Sequence, residues 1–131
     1  MKRYVEELGS DTVRRLLDEH TACTSRLSEV EIASALARRE REGSLKTTER
    51  DRALAALVLD MERLFVVELE SEITAIACKL LLSHPLRAGD ATQLGSAVYL
   101  QEQSRAEILF VAYDEPLNNA ARSCGLTLKK P

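Results

Sequence analysis

Apolar residues recur every three or four positions along most of this chain, interrupted by four short β-branched or alternating runs. Residues 11–20 predict a short helix with Val13, Leu16 and Leu17 on one face, started by Ser10 or Asp11 as a cap. Residues 21–25, small and β-branched, predict a buried strand. Residues 27–42 predict a helix with Leu27, Val30, Ile32, Ala33, Leu36 and Ala37 inward. Its charged end, Arg38-Arg39-Glu40-Arg41-Glu42, stops before Gly43. Thr47-Thr48-Glu49 opens a further helix to about residue 63, with Leu54, Leu57, Val58 and Met61 inside. Phe65-Val66-Val67 marks a strand within 64–69. Ser71 then starts a strongly apolar helix that ends before Pro85. Residues 90–103 predict another, with Leu94, Ala97, Val98 and Leu100 apolar. Residues 108–113 are a continuous apolar run, the strongest strand signal in the chain. Asp114-Glu115-Pro116 opens a last helix ending at Gly125, and Leu126-Thr127-Leu128 alternates as an edge strand. Strands alternating with helices predict an α/β domain with a mainly parallel sheet. No internal repeat or linker divides residues 1–131, so one domain is expected.

Composition narrows the function classes. A chain of 131 residues buries roughly two-thirds of its unfolded surface and needs no disulfide or metal to build a core. Aromatic residues make up only 4% and Trp is absent, which argues against base-stacking platforms. A net charge of -3 argues against a general electrostatic coat for nucleic acid, leaving only a local basic patch. Cys23, Cys78 and Cys124 are odd in number and too far apart for a zinc knuckle. Buried free thiols in a reducing compartment are expected. The first residues hold no apolar signal core, and no apolar run reaches membrane-span length. A cytoplasmic protein without a membrane partner is expected.

Three carboxylates fall in unusual positions. Glu31 lies one turn from Leu27 and Ala35, on or beside the apolar stripe. The ordinary alternative is an edge carboxylate that pairs with an arginine. Asp90 has Leu94, Ala97 and Val98 at helical spacing behind it and faces inward, or else caps its helix. Asp114 follows the strongest strand, where α/β sheets hold ligands, and it too is a natural N-cap. Converging carboxylates of this kind suit Mg²⁺ or Mn²⁺. Arg38, Arg39, Arg41, Lys46, Arg50 and Arg52 are interleaved with Glu40, Glu42, Glu49 and Asp51, which reads as a solvated, ion-paired face. Arg87, just before Asp90, is the better candidate to meet a phosphate. His20 and His84 have no nucleophile or acid at recognisable spacing and read as structural or exposed.

Four blocks together resemble the PIN domain, the nuclease fold of VapC-type toxins. They are Lys2-Arg3-Tyr4-Val5-Glu6-Glu7 with Gly9-Ser10; Thr24-Ser25-Arg26-Leu27-Ser28-Glu29-Val30-Glu31 with Ser34-Ala35-Leu36-Ala37-Arg38-Arg39; His84-Pro85-Leu86-Arg87-Ala88-Gly89-Asp90-Ala91; and Phe110-Val111-Ala112-Tyr113-Asp114-Glu115-Pro116-Leu117 with Ala120-Ala121 and Gly125-Leu126. The resemblance implies a three-layer α/β sandwich with a mainly parallel sheet. It places the family's acids at Glu31, Asp90 and Asp114, as ligands of Mg²⁺ (or Mn²⁺). It implies hydrolysis of RNA by metal-activated water, a homodimer, and a cognate antitoxin as partner. The family's central first strand and its Asp, which precede the Lys-x-Tyr-Val stretch, are absent from residues 1–131, so a gap in the sheet and impaired catalysis are expected. Such a gap also implies that the chain dimerises, swaps elements or binds a partner. Ala112 stands where many relatives carry Thr or Ser. Besides the toxin ribonuclease, two readings stay open: a truncated or degenerate PIN-like protein that binds a partner without catalysis, and a metal-dependent DNA nuclease or RNA-processing factor.

Overall fold

In a computed structural model of the chain, the structure describes residues 10–129. The chain divides into two compact units, Met1–Val66 and Val67–Pro131.

The first unit holds helix α1 (Ser10–Glu19), strand β1 (Cys23–Ser25), helix α2 (Leu27–Arg41) and helix α3 (Thr47–Arg63). Strand β2 (Phe65–Val67) ends across the boundary. In α1, Leu16 is buried as the pattern predicts. β1 leads straight into α2. The buried Ser25 accepts the Leu27 amide on its Oγ at 3.2 Å, and the Thr24 and Ser28 hydroxyls meet at 2.7 Å. β1 pairs with β2, and the Phe65 amide donates to the Ala22 carbonyl at 3.1 Å. Gly43, at φ +77°, lets the chain reverse after α2 without a side-chain clash. α3 starts where the Glu49 carboxylate reaches back to accept the Lys46 amide at 2.7 Å, satisfying one of the free N-terminal donors.

The buried stripes are narrower than the sequence suggests. Of the predicted inner face of α2 only Leu36 is fully buried, and Val30 is 66% exposed. On α3 the buried positions are Ala53, Leu57 and Asp60, spaced four and three apart, while Val58 is 60% exposed. Leu54 and Met61 are half-buried, so the helix is rotated by about one position from the predicted face. Helical spacing places Val58 beside Leu54 and Leu57 in sequence, but only about one-third of a helix's surface faces a single neighbour.

The second unit holds helices α4 (Ser71–Ser83) and α5 (Ala88–Ser104), strand β3 (Leu109–Phe110), helix α6 (Glu115–Ser123) and strand β4 (Thr127–Leu128). α4 packs on α5 through Ile73, Ala77 and Leu80 against Ala91, Leu94 and Gly95. Its core gathers Leu80, Leu94, Leu117, Ala120, Ala121 and Leu126. β3 and β4 pair in parallel, with Leu109 opposite Thr127 and Phe110 opposite Leu128. The Lys129 amide donates to the Phe110 carbonyl at 3.2 Å. The apolar run 108–113 predicted a longer strand. The ladder stops at two residues because β4, its partner, offers only two, and Leu109 and Val111 are left exposed. Gly125, at φ +77°, closes α6.

The class is α/β, mostly helical, with short strands. Among the described residues the strands form two pairs with no ladder between them, where the pattern predicted one interrupted parallel sheet. The block at residues 2–9 lies outside the described residues. No described helix is long and apolar enough to cross a membrane.

Candidate functional site

Asp114 is set by two adjoining elements. β3 runs out at Phe110, and three further residues carry the chain to the start of α6. Asp114 has extended backbone angles, φ -88° and ψ 122°, and its Oδ2 accepts the Leu117 amide at 3.0 Å. This is the N-cap that the sequence predicts, with Pro116 in the first turn, where its missing N–H costs nothing. One oxygen serves the cap. The residue is exposed, and its other oxygen makes no hydrogen bond or ion pair with a described residue. Capping and ligand binding are therefore compatible at this carboxylate.

Behind Asp114 lies a residue that sequence reasoning passed over. Asn118 is only 6% exposed. Its amide side chain donates to the Ala112 carbonyl at 3.2 Å, and its backbone N–H donates to the Asp114 carbonyl at 2.9 Å. The sequence does not separate it from Asn119: both lie between Leu117 and Ala120, and only the fold buries Asn118, where its amide must be satisfied internally, and leaves Asn119 exposed.

Asp90 is half-buried and sits in the first turn of α5, the third residue of that helix. Its predicted alternative role as the cap is corrected: the capping position is Arg87, because the helix begins two residues earlier than the pattern suggested, at Ala88. Asp90 in the first turn of α5 and Asp114 at the cap of α6 both lie at helix N-termini. Arg87 is exposed in extended backbone, and its carbonyl accepts the Ala91 amide at 2.9 Å. His84 is half-buried at the end of α4, and His20 is exposed just after α1.

Glu31 lies on α2 in the first unit and is exposed, not inward-facing. The stripe that buries Leu36 leaves Val30 and Glu31 on the solvent side. Glu31 and Asp90 each take part in a hydrogen bond or electrostatic interaction. Asp60, on the buried stripe of α3 at 8% exposure, is an acid that the predicted face of that helix omitted. Of the basic residues expected to form an ion-paired face, Arg50 pairs with Glu40 and Asp51; just before α2, Arg26 pairs with Glu29.

The expectation of buried thiols fails for two of the three cysteines. Cys23 and Cys78 are exposed and Cys124 is half-buried. The apolar neighbours in sequence lie on other faces of their elements. Loss of solvent around the sulfur still pushes the Cys23 and Cys124 thiols above their usual range, which makes them weak nucleophiles.

Carboxylates at the three predicted positions, with no thiolate or imidazole among them, suit a hard divalent ion. Among the described residues no group of three or more His, Cys, Asp or Glu side chains is gathered as a metal cluster. Asp90 and Asp114 belong to the second unit and Glu31 to the first.

A comparison with curated proteins gave no match. The family model described as the PIN domain matches residues 5–123, which include all three acids, Arg87 and Asn118. The chain therefore belongs to the PIN domain family, a family of nuclease-type domains.

Proposed function

We propose that this chain is a Mg²⁺-dependent endoribonuclease toxin of a toxin–antitoxin pair, acting as a homodimer and restrained by a small antitoxin protein. The observation that carries the reading is Asp114: an exposed carboxylate fixed at the junction of β3 and α6, in a chain matched by the PIN domain over most of its length. Glu31, Asp90 and Asp114 are the residues that would hold the ion, on the order of the sequence blocks that carry them. A bound Mg²⁺ supplies a water of lowered pKa and positive charge for the scissile phosphate.

The chain's own residues do the rest. Asp114 offers one carboxylate oxygen while the other stays on the Leu117 amide, so its position is fixed before any ligand arrives. Asp90 sits in the first turn of α5, three residues after Arg87. Arg87, three residues away and exposed, meets a non-bridging phosphate oxygen and holds the RNA backbone against the acids.

The test is cleavage of end-labelled single-stranded RNA with Mg²⁺ or EDTA, by the wild type and by Asp114→Asn. Asparagine caps a helix as well as aspartate does, so the variant should keep its melting temperature. Cleavage should fall by about 100-fold or more, the scale on which a lost charge at the reacting phosphate acts. Equal cleavage by both proteins removes Asp114 from the chemistry. A wild type that binds an antitoxin but cuts no RNA favours a PIN-like binding protein without catalysis.

A further inference from the structure

We infer that Asn118 is a positioning residue for Asp114, and that it acts on the divalent ion through that carboxylate; the inference rests on the metal-nuclease reading above. Ala112 lies beyond the last rung of the β3–β4 ladder, so its carbonyl has no strand partner in β4. Asn118 supplies the missing donor at 3.2 Å, from a side chain that is itself buried. One turn of α6 is thereby tied to both sides of Tyr113: the Asn118 side chain to Ala112, its backbone N–H to Asp114. Tyr113 itself is 48% exposed. Between Phe110 and Leu117 the segment has no fully buried side chain and only the half-buried Ala112 packs on the core, so these hydrogen bonds supply much of what holds its conformation.

The consequence is geometric. Releasing Ala112 lets the backbone before Asp114 swing, and the carboxylate must then be reordered each time it takes an ion. Groups that orient a metal ligand without touching the metal commonly alter affinity by 10–100-fold.

Two variants separate this role from packing and from charge. Asn118→Leu removes the donor and substitutes an apolar side chain of similar branching. Asn118→Asp keeps the shape, removes the donor and adds a negative charge. Mn²⁺ titration by calorimetry should show a dissociation constant weaker by about tenfold in both variants. Hydrogen exchange at the Leu117 amide, which reports the Asp114 cap directly, should accelerate in both without metal. Leu57→Ala, which opens a buried position on α3 outside the core that Ala112 packs on, serves as the control: it should lower stability and leave Mn²⁺ affinity unchanged.

Unchanged Mn²⁺ affinity in Asn118→Leu, or tighter binding in Asn118→Asp, overturns the inference. Either result, combined with lost binding in Asp114→Asn, leaves the metal reading standing. A wild type that binds no Mn²⁺ overturns the metal reading and this inference with it.

Discussion

The two helix pairs α4–α5 and α2–α3 are similar in length but held together by different means. α4 and α5 meet where side chains are smallest. A Cβ placed on Gly95 would lie 3.3 Å from the Ala77 backbone nitrogen and 3.3 Å from the Ile73 carbonyl oxygen. Glycine is required there by proximity, not by backbone angles, and Ala91, Leu94 and Ile73 are almost completely buried around it. α2 and α3 share less apolar surface. Leu36, Ala53 and Leu57 are buried, and a polar clasp lies outside them. Glu40 accepts from the Thr47 hydroxyl at 2.8 Å and from the Arg50 guanidinium at 2.5 Å, while Arg50 also holds Asp51 at 2.7 Å. Dry contact between close backbones is strong and insensitive to pH and salt. Exposed ion pairs are weak and respond to both. The second unit, which carries Asp90 and Asp114, therefore rests on the contact less sensitive to pH and salt.

The sharpest way to break this comparison is to remove one fully buried leucine from each pair. Leu94→Ala should cost about 3 kcal/mol, because the close α4–α5 contact cannot collapse into the cavity. Leu36→Ala, at the same 0% exposure, should cost about 2 kcal/mol, since its neighbours on α2 are partly exposed and can move inward. Urea unfolding gives both numbers. A larger loss for Leu36→Ala would reverse the ranking of the two pairs.

Gly95→Val tests the close approach itself. The atoms it would meet are backbone and cannot rotate away, so α4 and α5 must separate. Overpacking of this kind costs about 2 kcal/mol even after the gain from replacing glycine in a helix. Gly95→Ala should be milder, with the helix-propensity gain offsetting much of the strain. An increase in melting temperature for the valine variant would mean that the helices are not in contact at this point.

Much of this arrangement was legible in the sequence. Helix starts at Leu27, Thr47 and Ser71 follow from periodicity, and the Asp114 cap with Pro116 in the first turn follows from local chemistry. What failed was burial. Val30 and Val58 look like core residues because periodicity reports a face, but not how much of that face a neighbour covers. Cys23 and Cys78 look buried for the same reason. β3 was overestimated because the length of a strand is decided by its partner, which sequence proximity does not reveal. At the candidate site the acids were legible as spacing and family blocks, whereas Asn118 was not, because its role depends on one carbonyl left over at the end of a ladder.

A smaller effect separates the two duties of Asp114. Asp114→Ala removes the acceptor for the Leu117 amide and should cost about 1 kcal/mol, read as a lower melting temperature. Asp114→Asn should cost close to nothing, as asparagine is an equally good cap. If both variants are equally destabilised, the carboxylate charge at the α6 N-terminus contributes more than the cap hydrogen bond.

The smallest expected effect lies in the α2–α3 clasp, and its sign is fixed by the protonation of Glu40. The hydrogen bond from Thr47 and then that from Arg50 hold the Glu40 carboxyl below the usual glutamate range. A carboxylate whose pKa is lower in the folded state stabilises the fold above its unfolded pKa, near 4.3, and loses that contribution as pH falls through the folded value. Glu40→Gln keeps an acceptor for the Thr47 hydroxyl and removes only the charge that Arg50 answers. It should lower the melting temperature slightly at pH 7, by an amount that shrinks as the pH is taken below about 4 and as salt is raised. The loss in Leu94→Ala, which involves no titrating group, should stay constant over the same range. A Glu40→Gln deficit that is identical at pH 7 and pH 3 and indifferent to salt would show that the clasp acts through packing of the Arg50 stem, and the contrast between the two helix pairs would disappear.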